Sequence, residues 1–112
     1  MPIMKFNLQH FVIPNHCKVL QNSFSTYDPE IEHTEEKNLF YLSEDLLQIE
    51  FQNLIIDLGW YGEIWNNNGQ FKIFVIKNQN WENPIQTESS KSQRTIKETL
   101  ENILASFKNH NL

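Results

Sequence analysis

The pair that most invites a chemical reading is His16-Cys17, a base beside a thiol. A thiolate attacks electrophiles, and a positioned imidazole can take its proton. Neighbours in sequence rarely form such a dyad, however, and no activating motif surrounds this one. A structural thiol is the favoured reading. His33 stands among Glu30, Glu35 and Glu36, a set of nitrogen and oxygen donors of the kind that bind divalent metals. Their spacing matches no recognised ligand motif, and no second histidine lies nearby to close a site. The 3 glycines all fall between positions 59 and 69, so there is no Gly-rich phosphate loop. No serine-centred nucleophile elbow is present either. The sequence assigns no catalytic, cofactor or metal residues, and the chain is expected not to be an enzyme.

Recognition is the chemistry that stands out. On the strand register derived below, one sheet face carries Glu50, Asp57, Tyr61, Glu63, Trp65, Lys72 and Phe74, with Ile55 and Ile76 between them. Carboxylates interleaved with aromatics suit a basic protein: the rings anchor, and the charges steer and set register. A second acidic stretch, Glu30, Glu32, Glu35 and Glu36, reads as an exposed loop. These two sets, without Lys72, Phe74 and the isoleucines, are the candidate partner-binding residues. The competing reading has the N-terminal segment covering the sheet face as ordinary core. It is favoured for Ile55, Phe74 and Ile76, and disfavoured for Glu63 and Trp65 near a hairpin tip.

The charge supports a basic partner. The chain of 112 residues has a net charge of −5. Up to Ile64, ten acids face three lysines, a net of −7; beyond it, six cations face four acids, a net of +2. An acidic half repels phosphate backbones, so nucleic acid is not the expected ligand. Mild acidity also serves solubility alone. The single cysteine forms no internal disulfide, and no signal-peptide pattern opens the chain, so a reducing cytoplasm is the expected compartment. No apolar run approaches the roughly 18 to 20 residues that span a bilayer, so no membrane role is expected.

The elements that must position these residues centre on a three-stranded antiparallel meander over residues 46–77. Its first hairpin turns at Gln52-Asn53, which places Phe51 opposite Leu54, Ile49 opposite Ile56 and Leu47 opposite Leu58. Every pair on that face is apolar, and a slip of one residue would bury the polar set instead. The second hairpin turns at Asn68-Gly69, the favoured type I′ pair, and places Ile64 opposite Ile73 and Gly62 opposite Val75. Residues 93–108 read as a helix capped by Ser92, with Ile96, Leu100, Ile103, Leu104 and Phe107 in one stripe. That stripe matches the apolar sheet face, which also holds Trp60. Residues 3–13 alternate as a strand stopped by Pro14, and residues 85–89 offer a further short strand. Residues 17–20 read as a short strand or one helical turn. Residues 39–42 read as an edge strand, with helical spacing of Leu39, Leu42, Leu46 and Ile49 as the alternative. The fold class is α+β, a single domain with an antiparallel sheet covered on one face by a C-terminal helix.

The run Ile56-Asp57-Leu58-Gly59-Trp60-Tyr61-Gly62-Glu63, the Asn/Gly turn, Phe71-Lys72-Ile73-Phe74-Val75-Ile76, Trp81-Glu82-Asn83-Pro84 and a closing helix together resemble small bacterial toxin-immunity proteins of the contact-dependent growth inhibition and polymorphic-toxin type. The resemblance covers residues 46–108. It implies a non-enzymatic cytoplasmic protein that binds and neutralises a cognate toxin domain, often a nuclease, and it carries over no binding residues. A nuclease is basic, which agrees with an acidic antidote. The alternatives are an accessory or adaptor domain for another protein, and a small-molecule domain using the region of Trp60 and Trp81 as a pocket.

Overall fold

The computed structural model describes residues 7–31, 34–62 and 69–107. The elements run β1 (Lys18–Asn22), α1 (Glu35–Tyr41), β2 (Leu47–Phe51), β3 (Leu54–Tyr61), β4 (Gln70–Lys77), β5 (Gln86–Ser90) and α2 (Gln93–Ser106). The strands form one antiparallel sheet in the order β1-β2-β3-β4-β5. The described residues make an α+β protein with five strands and two helices: the expected meander is β2, β3 and β4, and β5 is the further short strand expected at residues 85–89.

The first hairpin has the register expected from its turn length, with Phe51 opposite Leu54, Ile49 opposite Ile56 and Leu47 opposite Leu58. The second does not. Leu58 faces Ile73, Ile56 faces Val75 and Tyr61 faces Gln70, so the connection spans residues 62–69. This register leaves no two-residue turn at Asn68-Gly69, and Gly69 directly precedes β4. Its missing side chain serves packing: a Cβ there would lie 2.5 Å from the Trp60 indole. The expected and observed alignments place the same residues of β4 on the same face, because they differ by an even shift. Ile64 and Asn68 lie outside the described residues.

One face of the sheet is the core. Leu47, Ile49, Phe51, Ile56, Leu58, Trp60, Phe71, Ile73 and Val75 are buried there. The stripe of α2, from Ile96 to Phe107, is buried in the same cluster, and Phe107 stacks on Phe51 with centroids 4.6 Å apart. Ser92 caps α2, its hydroxyl accepting from the Thr95 N–H at 3.1 Å. At the other end of the sheet, Phe24 meets Phe71 edge-on at 6.0 Å, and Gln93 Nε2 donates to the Ser25 carbonyl at 2.8 Å.

The N-terminal strand is a correction. The sheet's first strand is Lys18–Asn22, whereas the described part of the expected strand forms a single bridge, Leu8 to Ser25. Leu8 and Val12 are exposed and Phe11 packs on the core cluster, so the alternation there has no apolar face to bury against. This segment therefore docks beside the core. A second correction concerns residues 30–37, expected as an acidic loop, and 39–42, expected as an edge strand with helical spacing as the alternative. Thr34 Oγ1 accepts from the Lys37 N–H at 3.2 Å and caps α1, whose first turn holds Glu35 and Glu36. Both features favour a helix start, the capping oxygen by satisfying a free N–H and the acids by meeting the dipole.

Candidate partner-binding surface

The opposite sheet face is built by alternation along the strands. It presents Gln48 and Glu50 from β2, Ile55, Asp57, Gly59 and Tyr61 from β3, and Lys72, Phe74 and Ile76 from β4, with cross-strand neighbours Glu50–Ile55, Gln48–Asp57 and Asp57–Phe74. Gly59 interrupts the row for a reason. Ser43 accepts from the Trp60 N–H at 2.7 Å and the Leu46 N–H donates to Leu58 at 3.0 Å, so the chain keeps hold of β3 on both sides of Glu44 and Asp45. Those two acids are pushed out across the face, and a Cβ on Gly59 would stand 2.1 Å from the Glu44 carbonyl oxygen. Both are exposed.

The result is an acidic cluster around one ring. Burial first, then the negative charges of Asp57, Glu44 and Asp45, raise the Tyr61 hydroxyl above its ordinary range. Phe74 meets the Tyr61 ring edge-on at 5.7 Å, and Lys72 Nζ sits 5.7 Å from its centroid. Asp57 is only 7% exposed, and Gln48 Nε2 donates to its Oδ1 at 3.1 Å. Burial pushes its carboxyl up, the Gln48 hydrogen bond draws it back partway, and the charge of Asp45 adds to the rise. Asp57 therefore contributes field more than contact.

A stability prediction follows with a definite sign. A carboxyl raised in the folded state binds its proton more tightly than in the unfolded chain, so ionisation at neutral pH opposes folding. Asp57→Asn keeps an oxygen to accept from Gln48 and removes that charge. The variant should be more stable than the parent at pH 7. The difference should shrink as pH falls through the raised folded value towards about 3.9, the unfolded one. Denaturant unfolding at pH 7 and pH 4 checks this, and a variant less stable at pH 7 contradicts it.

Two members of the second acidic set, Glu35 and Glu36, lie on α1. Glu35 and Leu39, and Glu36 and Phe40, are four residues apart and stack along its outer side. All four are exposed, Leu39 by 62% and Phe40 by 79%. The inner side holds the helix in place: Asn38 is buried against the Tyr27 hydroxyl, which donates to its Oδ1, and Tyr27 stacks on Tyr41 at 5.2 Å. Glu30 is exposed beside the buried Pro29.

The structure thus brings Asp57 and Tyr61 together and places Glu50 with Ile55. Glu35 and Glu36 sit on a helix, and Glu32, Glu63 and Trp65 lie outside the described residues. Ile76 is buried, while Ile55 and Phe74 remain half-buried. Sequence reading missed Glu44 and Asp45, and it missed Leu39 and Phe40 as surface groups. The signal for the first pair was Gly59 itself, since a glycine inside a strand marks close approach of another backbone. Glu35, Glu36, Glu44, Asp45 and Glu50 make no ion pair with another described residue. Among the described residues no three His, Cys, Asp or Glu side chains gather as metal ligands, and no helix is long and apolar enough to cross a membrane. Comparison of the chain with protein-family models, with curated proteins and with solved structures gives no match.

Proposed function

We propose that this chain is an immunity protein that binds a cognate basic toxin domain, of the nuclease kind, and blocks it without catalysis. The observation that carries this reading is the set of carboxylates that pair with no described residue, Glu44, Asp45 and Glu50 on the sheet side and Glu35 and Glu36 on α1, set beside available rings and apolar groups. Unpaired acids raise the rate of encounter with a cationic partner, and Tyr61, Phe74 and Phe40 supply the area that holds it. Binding takes place in the cytoplasm of the producing cell, where the toxin would act on self.

The test is a pull-down of the purified chain with the C-terminal domain of the toxin gene beside its own, followed by a toxin activity assay. A stable complex with activity lost supports the reading. Activity left intact at saturating antidote overturns it, and a stable complex with an unrelated protein would instead favour an adaptor. Within the complex, Glu44→Lys with Asp45→Lys should weaken binding by about tenfold or more. Glu98→Lys with Glu101→Lys, on the solvent side of α2, should change it by less than about twofold. Equal effects would place the interface elsewhere.

A further inference from the structure

A groove of about 290 Å³ opens at the turn end of the outer sheet face, lined by Glu50, Gln52, Asn53, Ile55, Asn78 and Gln79. We propose that this groove receives an arginine side chain of the partner; the proposal rests on the function given above and deepens it. The volume is at the small end for ligand sites, which suits one side chain better than a cofactor. Glu50 and Ile55 are directly paired across β2 and β3, so a carboxylate and an aliphatic surface stand side by side. An arginine needs that combination, an apolar wall for its stem and an anion for its head.

The rim supplies the remaining acceptors. A guanidinium carries five N–H donors in a fixed plane and no acceptor. Asn53 Nδ2 donates to Asn78 Oδ1 at 2.9 Å, which leaves the Asn53 oxygen with no described donor. The side chains of Gln52 and Gln79 make no hydrogen bond with a described residue, and the Glu50 carboxylate is likewise unpaired. Among the described lining residues Glu50 is the only charged one, so an anion would meet a like charge and no cation there. Lys18 lies opposite Glu50 in the register and forms no described ion pair with it. A lysine ammonium would gather its three donors at one point, whereas the planar guanidinium spreads five and reaches the carboxylate and the amide oxygens together.

The rim is also built in advance. Gln52, Asn78 and Gln79 have φ of 55°, 55° and 60°, the left-handed region that glycine occupies most easily. The two loops are tied by the Asn78 N–H donating to the Asn53 carbonyl at 2.9 Å, beside the side-chain bond. Three amide residues in backbone states that favour glycine, all on one rim, point to a use for the side chains.

The experiment is a titration of the 15N-labelled full chain with N-acetyl-arginine amide, with N-acetyl-lysine amide and methyl glucoside as comparisons. Arginine should give saturable shifts confined to residues 50–55 and 76–80, with affinity at least about threefold above lysine. Glu50→Gln should abolish the shifts while keeping the dispersed spectrum of a folded chain, and Glu98→Gln should not alter them. Absence of shifts, equal response to lysine, or a stronger response to the glucoside overturns the groove as an arginine receptor. A toxin complex unaffected by Glu50→Gln also overturns it and leaves the proposed function standing. Saturable arginine shifts with no toxin complex in any form sink that function and leave the groove's specificity in place.

Discussion

Replacing Leu100 with alanine is expected to lower the free energy of unfolding by about 2 to 5 kcal/mol. Leu100 is fully buried in the middle of α2, between Ile96 on one turn and Ile103 and Leu104 on the next. The helix is held at both ends, by Gln93 on the Ser25 carbonyl and by the stacked Phe107 and Phe51 rings. A helix pinned at its ends cannot slide down into a void at its centre, so the cavity should stay open and the cost should fall high in that range. The matched surface change Glu98→Ala should move stability by less than about 0.5 kcal/mol. Urea denaturation of both variants checks this. Coincident midpoints for Leu100→Ala and the parent would mean that α2 does not cover the sheet.

Gly59→Ala is the second large effect, and it links fold to site. Its Cβ would sit 2.1 Å from a backbone carbonyl oxygen, and backbone cannot rotate aside as a flexible side-chain tip can. The Ser43 and Leu46 hydrogen bonds to β3 hold the obstructing segment down on both sides. One of those bonds must break or the strand must bend, so a loss of about 3 kcal/mol or more is expected. Glu44 and Asp45 should lift away from Tyr61. The hydroxyl of Tyr61 would then titrate lower than in the parent, closer to its ordinary value, because two of the charges that raise it have receded. An unfolding midpoint and a Tyr61 titration both unchanged would refute the crossing of residues 43–46 over the sheet.

The elements legible in the sequence are those where two independent signals agree. Turn length and apolar pairing both fixed the first hairpin; the cap at Ser92 and the stripe from Ile96 to Phe107 both marked α2. The second hairpin had one strong signal, Asn68-Gly69, and that signal was ambiguous, because the Trp60 ring also requires a glycine at position 69. The error left the faces correct, since the shift was even. The N-terminal alternation misled because period two says nothing about whether an apolar partner exists, and Leu8 and Val12 have none. For α1, the run of acids from Glu30 drew attention to charge and away from Thr34 as a cap. The site was half legible. Tyr61 beside Asp57 followed from alternation, whereas Glu44 and Asp45 arrive from the segment before β2, whose crossing over β3 strand periodicity does not encode.

The central claim is electrostatic: an acidic surface meets a basic toxin domain. Stopped-flow association of this chain with the toxin domain, measured as salt rises from ~50 to ~300 mM, tests it most directly. Steered encounter should slow by about tenfold or more over that range, while the dissociation rate changes by less than about twofold, because screening acts on approach and short-range contacts hold the complex. An association rate indifferent to salt would contradict the claim, whatever the affinity of the complex.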